Sequence, residues 1–142
     1  MYNPEHWYEF GALRAPGLLR LALECRAAWE YGATLAAQPL LSRAPKGDGH
    51  PVLVFPGLVA SDLSTKPLRR FLETAGYAAY PWEHGRNLGP REGILEGCLA
   101  RLKALRRKHR KKVSLIGWSL GGLYARELAK LAPKDVRLVI TL

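Results

Sequence analysis

A serine held between glycines, at the seam of an apolar run and a helical pattern, constrains this chain more than any other stretch. Val113-Ser-Leu-Ile116 leads into Gly117-Trp-Ser-Leu-Gly121-Gly122, and a helix-like pattern continues to Leu131. A short apolar run bounded by turn formers suits a strand buried on both faces of a parallel sheet. When such a strand passes into a helix through a tight turn, the residue on the turn takes a strained backbone, and its side chain stands exposed above the sheet edge. The turn leaves no room for side chains two positions before and after it. Glycine meets that demand at Gly117 and Gly121, and Gly122 lets the helix approach the sheet. Ser119 is the residue on the turn.

The surrounding chain repeats the same alternation. Val52-Leu-Val-Phe55, Tyr77-Ala-Ala-Tyr80, Val113 to Ile116 and Val136 to Leu142 read as strands. Leu68, Phe71, Leu72 and Ala75 share one helix face. Ser64-Thr65 offers that helix a cap, Pro67 suits its first turn, and Gly76 can end it. Ile94, Cys98, Leu102 and Leu105 mark a second helix, locally weakened by Gly93 and Gly97, which would mark close packing. Gly121 to Leu131 forms the third, ended by Pro133. Strand–helix–strand repetition of this length predicts right-handed crossovers and a doubly wound, mostly parallel α/β sheet of about four strands. Val54, Phe55, Leu115 and Ile116 should lie buried at its centre. Ligands of such sheets bind at the carboxyl ends of the strands. Three loops should meet there: Pro56 to Leu63, Trp82 to Pro90, and the turn at Ser119.

Residues 1–46 read as a helical segment and 47–142 as the α/β domain, joined by the turn-rich stretch Arg43 to His50. Leu18, Ala22, Cys25 and Trp29 form one apolar stripe, widened by Leu19 and Leu23, beside Arg14, Arg20 and Arg26. A helix over Ala12 to Tyr31 would cap the sheet or lie on a lipid surface. The start, Met1 to His6, lacks the basic region and apolar core of a secretory signal, and no window of about 20 residues is free of charge. These features predict a cytoplasmic protein, with peripheral membrane contact through the first helix as the remaining option.

Apolar residues make up 48% of the chain and charged residues 24%, which excludes a disordered chain. The net charge of +10 favours anionic partners, but it is bunched in Arg101 to Lys112. That run carries no interleaved aromatic residue to stack on bases, so it reads as a solvated helix end, not a nucleic-acid site. Cys25 and Cys98 both fall on apolar stripes and read as buried free thiols, and two cysteines make no zinc-type pairing.

The chemistry converges on Ser119. The positive end of the following helix points at the serine and at any oxyanion formed there, and the Leu120 N–H is one natural donor. A second should come from the loop after the first strand, Phe55-Pro-Gly-Leu58, where Pro56-Gly57 bends the chain and the Leu58 amide can point inward. With His50-Pro-Val-Leu-Val-Phe-Pro-Gly57 and Gly117-Trp-Ser-Leu-Gly-Gly122 followed by Leu-Tyr-Ala-Arg, the chain resembles the lipase and esterase branch of the α/β-hydrolase family, over about Gly49 to Leu142. The resemblance implies a nucleophile elbow with Ser119 as nucleophile, backbone donors at Leu58 and Leu120, an acyl or lipid ester as substrate, and no metal or cofactor.

The departure concerns the partners of the serine. The family places its acid and histidine after the serine, and here no histidine follows His109. Asp135 should lie at the opposite end of the sheet, His50 precedes its strand, and His6 sits in the N-terminal tail. His84 lies in a loop on the correct side and is the one candidate base, though a loop histidine is usually a surface residue. Asp62 should shape its own turn. The expectation is a truncated hydrolase domain without its triad acid and histidine. The alternatives are a non-catalytic binding module of the same fold and an acyltransferase.

Overall fold

The computed structural model describes residues 45–142. The expected N-terminal helix, with Cys25 and His6, lies outside the described residues. Seven elements follow one another: β1 (Pro51–Phe55), α1 (Lys66–Thr74), β2 (Ala78–Pro81), α2 (Ile94–His109), β3 (Val113–Gly117), α3 (Leu120–Leu131) and β4 (Val136–Thr141). All neighbouring strands run parallel, in the order β2-β1-β3-β4. This is the α/β architecture the alternation predicts.

Side-chain alternation along the strands divides the core in two. Leu53, Phe55, Val113 and Leu115 face α2 and α3, where they meet Leu102, Leu105, Ala125 and Leu128. Val52, Val54 and Ile116 face the other way, onto Leu68 and Leu72 of α1. The four residues expected at the sheet centre are all buried. Helices sit on both faces because the chain reverses direction across the sheet. It moves outward from β1 to β2, then back past β1 to β3 and on to β4. The loops after β1 and β3 therefore leave adjacent strands in opposite directions, which opens a crevice between them.

Three local details differ from the sequence expectation. The strand expected over Tyr77 to Tyr80 runs instead from Ala78 to Pro81, and Pro81 is paired with Val54. β2 is an edge strand, so the missing N–H of proline leaves no ladder bond unmade. Thr65 precedes α1 but does not cap it. Its Oγ1 instead donates to the Asp62 carbonyl at 3.1 Å and accepts from Arg69 Nε at 3.3 Å. The two glycines of α2 differ in purpose. Gly93 starts the helix at φ 80, in the left-handed region that favours glycine, with open space around it. Gly97 is the close-packing one: a Cβ there would stand 2.6 Å from Cε1 of His84.

Candidate functional site

Ser119 joins β3 to α3 with φ 49 and ψ −118, a backbone that non-glycine residues rarely adopt. The fold enforces it. A Cβ on Gly117 would lie 2.3 Å from the Gly121 carbonyl group, and one on Gly121 would lie 2.5 Å from the Phe55 carbonyl oxygen. Gly122 is tight as well, 3.0 Å from Thr141 Cγ2. Main-chain hydrogen bonds fasten both sides of the turn. Trp118 N donates to Phe55 O at 3.1 Å, Ser119 N to Leu142 O at 2.8 Å, and Gly122 N to Ser119 O at 2.8 Å. The Ser119 side chain is exposed, at the positive end of α3.

The loop after β1 lies directly against this turn. A Cβ on Gly57 would meet Trp118 Cδ1 at 3.2 Å and Ser119 Cβ at 3.6 Å. Gly57, the residue before Leu58, thus lies in contact distance of the serine turn. Neither Leu58 N–H nor Leu120 N–H has a hydrogen-bond partner among the described residues. The loops after β1, β2 and β3 and helix α3 also bear exposed apolar side chains: Leu58, Val59, Leu88, Trp118 and Leu123 are all more than half exposed.

The loop after β2 is tied to the same edge. The Asp62 side chain makes no hydrogen bond within its own turn, where only its carbonyl takes part. Its carboxylate reaches across to the end of β2, accepting from Trp82 N at 3.0 Å and Glu83 N at 3.1 Å. Arg101 secures the same stretch, donating to Pro81 O at 2.7 Å and pairing with Glu83. Asn87 is buried completely and bonded to the β1 loop. Nothing in the sequence marked it beyond a polar residue in a glycine-rich loop.

Among the described residues no hydrogen bond joins a histidine to Ser119. His84 packs against Gly97 and edge-on to Trp82, with Nε2 enclosed and without a hydrogen-bond partner among the described residues. Tyr124, whose ring also lies close to Trp82, has its hydroxyl buried without a partner among the described residues, and burial raises its pKa. His109 bonds Tyr80 Oη through Nε2 at 2.8 Å, and burial beside Lys108 and Lys111 lowers its pKa. Asp135 lies at the amino edge, its carbonyl accepting from Val113 N at 2.9 Å.

His50, also at the amino edge, forms a serine–histidine–aspartate chain. Its Nε2 meets Ser114 Oγ at 2.9 Å and its Nδ1 meets Asp48 Oδ1 at 2.5 Å. Arg137 donates to Asp48 Oδ2 at 3.0 Å. Hydrogen bonds from His50 and then Arg137 hold the Asp48 carboxyl well below the usual carboxylate range. This connectivity is that of a catalytic triad, but its serine is not placed to react. Ser114 is 4% exposed, inside the ladder of β3, and β3 ends on the opposite side of the sheet at the Ser119 turn. The relay fastens Asp48 and His50 to β3 and β4.

Among the described residues no cluster of three His, Cys, Asp or Glu side chains is arranged to hold a metal ion, and no helix is long and apolar enough to cross a membrane. Cys98 is buried, and its thiol is pushed up to about 12 by burial.

No family model and no curated protein matches the sequence. Solved structures do match the fold. A probable hydrolytic enzyme from Pseudomonas aeruginosa PAO1 superposes with a TM-score of 0.53 at 24% identity, over 69% of this chain and 34% of the enzyme. A monoacylglycerol lipase from Paleococcus ferrophilus gives 0.52 at 22% identity, over 68% of this chain and 39% of the lipase. A lipase from Bacillus licheniformis gives 0.52 at 22% identity, over 70% and 42%. The chain spans a third to two fifths of the length of these proteins, and over that span it has the fold of the α/β-hydrolases.

Proposed function

We propose that the chain carries the nucleophile and the oxyanion site of a serine hydrolase that cleaves acyl or lipid esters. The observation that carries this reading is the strained, exposed Ser119 with the Gly57-Leu58 loop against it. Ser119 Oγ attacks the ester carbonyl and loses its proton to a base. The tetrahedral oxyanion accepts from Leu58 N–H and Leu120 N–H, assisted by the positive end of α3. Collapse expels the alcohol, and water then releases the acid from the acyl-enzyme. Exposed Leu58, Val59, Leu88, Trp118 and Leu123 suit an acyl chain, because apolar surface grouped around a few polar atoms favours a ligand of that kind. An acyltransferase would use the same parts with an alcohol or amine in place of water.

The base and its acid partner belong, in this reading, to chain outside residues 45–142. His84 packs against Gly97 and Trp82 with its Nε2 buried, and His50 and His109 are engaged elsewhere. With none of these histidines as base, the chain should turn esters over slowly. Oxyanion stabilisation and binding without a working triad leave about 10³–10⁴-fold over water. Imidazole in solution can act as a substitute base. The test is p-nitrophenyl butyrate hydrolysis by the chain and by Ser119→Ala, with and without imidazole, together with fluorophosphonate labelling mapped by mass spectrometry. The expected result is imidazole-stimulated turnover above that of Ser119→Ala, with label on Ser119. Equal rates for the two proteins in both conditions, with no label at Ser119, would refute the reading and favour a non-catalytic module.

A further inference from the structure

Asn87 has no exposed surface, yet it lies in a loop. Burying a side-chain amide is costly unless its groups are hydrogen-bonded. Here they are, and the partners are informative. Nδ2 donates to Pro56 O at 2.8 Å, and Oδ1 accepts from Gly89 N at 3.2 Å. The backbone of Asn87 adds two more bonds: its N donates to Ala60 O at 2.8 Å, and its O accepts from Val59 N at 2.6 Å. Three of these four bonds grip residues 56–60, the loop that carries Leu58.

That loop needs holding. Val59 sits at φ 62, a left-handed conformation that a β-branched residue adopts only under constraint. Such strain persists only where the surroundings over-determine it. The carbonyls before and after the bend, at Pro56 and Ala60, are both bonded to Asn87, while Leu58 N–H between them is bonded to nothing among the described residues. The Pro56 carbonyl also bears on the serine turn, since a Cβ on Gly121 would lie 2.8 Å from its oxygen.

We infer that Asn87 is the positioning residue of the oxyanion site. Its amide clamps Pro56 O and its main chain brackets Val59 and Ala60, which keeps Leu58 N–H unpaired beside Ser119. This deepens the reading of Ser119 as a nucleophile and rests on it. Asn87 touches no reacting atom and acts through Leu58.

The experiment uses the 142-residue chain and Asn87→Asp. This change keeps the acceptor for Gly89 and sets a carboxylate oxygen against the Pro56 carbonyl. Two quantities are read. The first is amide exchange by NMR at Val59, with Leu115 as the reference for global opening. The second is the fluorophosphonate labelling rate of Ser119 in imidazole against probe concentration. We expect Val59 to exchange at least about tenfold faster with Leu115 unchanged, because the loss is local. The maximal labelling rate should fall about ten- to a hundredfold, somewhat less than deletion of an oxyanion donor, with the half-saturating concentration retained. A merely structural lesion would shift Leu115 and the half-saturating concentration as well. Unchanged Val59 exchange overturns the clamp, and an unchanged labelling rate overturns its link to the oxyanion site. If the unsubstituted chain shows no labelling at Ser119, the reading of Ser119 fails and with it the oxyanion role. The exchange result then decides the clamp alone. Should Asn87→Asp not fold, Asn87→Ala takes its place, leaving a void instead of a repelling charge, with the same results expected.

Discussion

Replacing Gly121 by alanine sets two terms of known size against each other. Gly121 lies inside α3 and its backbone carries no positive φ. In an exposed helix this change would stabilise the chain by about 0.5–1 kcal/mol, because alanine loses less backbone freedom on folding. Here the new Cβ would stand 2.5 Å from Phe55 O and 2.8 Å from Pro56 O, where contacts below 3.0 Å are essentially never seen. Both obstacles are main-chain atoms at the end of a buried central strand, so neither can rotate away. Helix or strand must shift by at least about 0.5 Å, and strain of this kind costs about 1–3 kcal/mol. The net expectation is a loss of about 1–2 kcal/mol. Urea denaturation of the full chain should show the midpoint falling by about 1 M, taking a slope near 1–2 kcal/mol per M. Gly97→Ala is the control. Its Cβ would meet the His84 ring at 2.6 Å, and a loop side chain can give way. Its loss should be smaller. A Gly121→Ala midpoint equal to or above that of the unsubstituted chain would refute the close-approach argument for this turn.

Leu115→Ala, at a fully buried position in the central strand β3, should cost about 2–5 kcal/mol. An unchanged urea midpoint would contradict the packing of β3 between two helical layers. Cys98, with its pKa pushed up to about 12 by burial, should resist iodoacetamide at about pH 8 until urea unfolds the chain. Peptide mapping that finds Cys98 alkylated at the rate of a free thiol in the folded state would count against that burial. Hydrogen bonds lower the pKa of Asp48 in the folded state, so its contribution to stability is present above the unfolded carboxylate range and is lost as pH falls through and below it. Asp48→Asn should therefore show a smaller drop in urea midpoint between about pH 6 and about pH 3 than the unsubstituted chain. An equal drop would remove Asp48 from the acid response.

Much of this molecule is local in origin and so legible in the sequence. Strand–helix alternation sets the layers, because short apolar runs and 3.6-residue periodicities specify element type within a few neighbours. Gly117, Gly121 and Gly122 around Ser119 announce a tight turn, since only glycine fits where two backbones approach within contact distance. Other features depend on residues far apart in the chain, and periodicity carries no record of them. The burial of Asn87 exists only because the loops after β1 and β2 meet over Pro56. Asp62 looks like a turn residue and in fact holds the end of β2. Pro81 looks like a strand stop and is tolerated because β2 became an edge. Ser114, His50 and Asp48 are unremarkable in sequence, and pairing of β1 with β3 assembles them into a relay at the edge opposite Ser119. Local sequence determined which elements form and where the chain turns sharply. Tertiary structure decided which polar groups meet, because hydrogen bonding over tens of residues is selected by strand order and register, not by propensity.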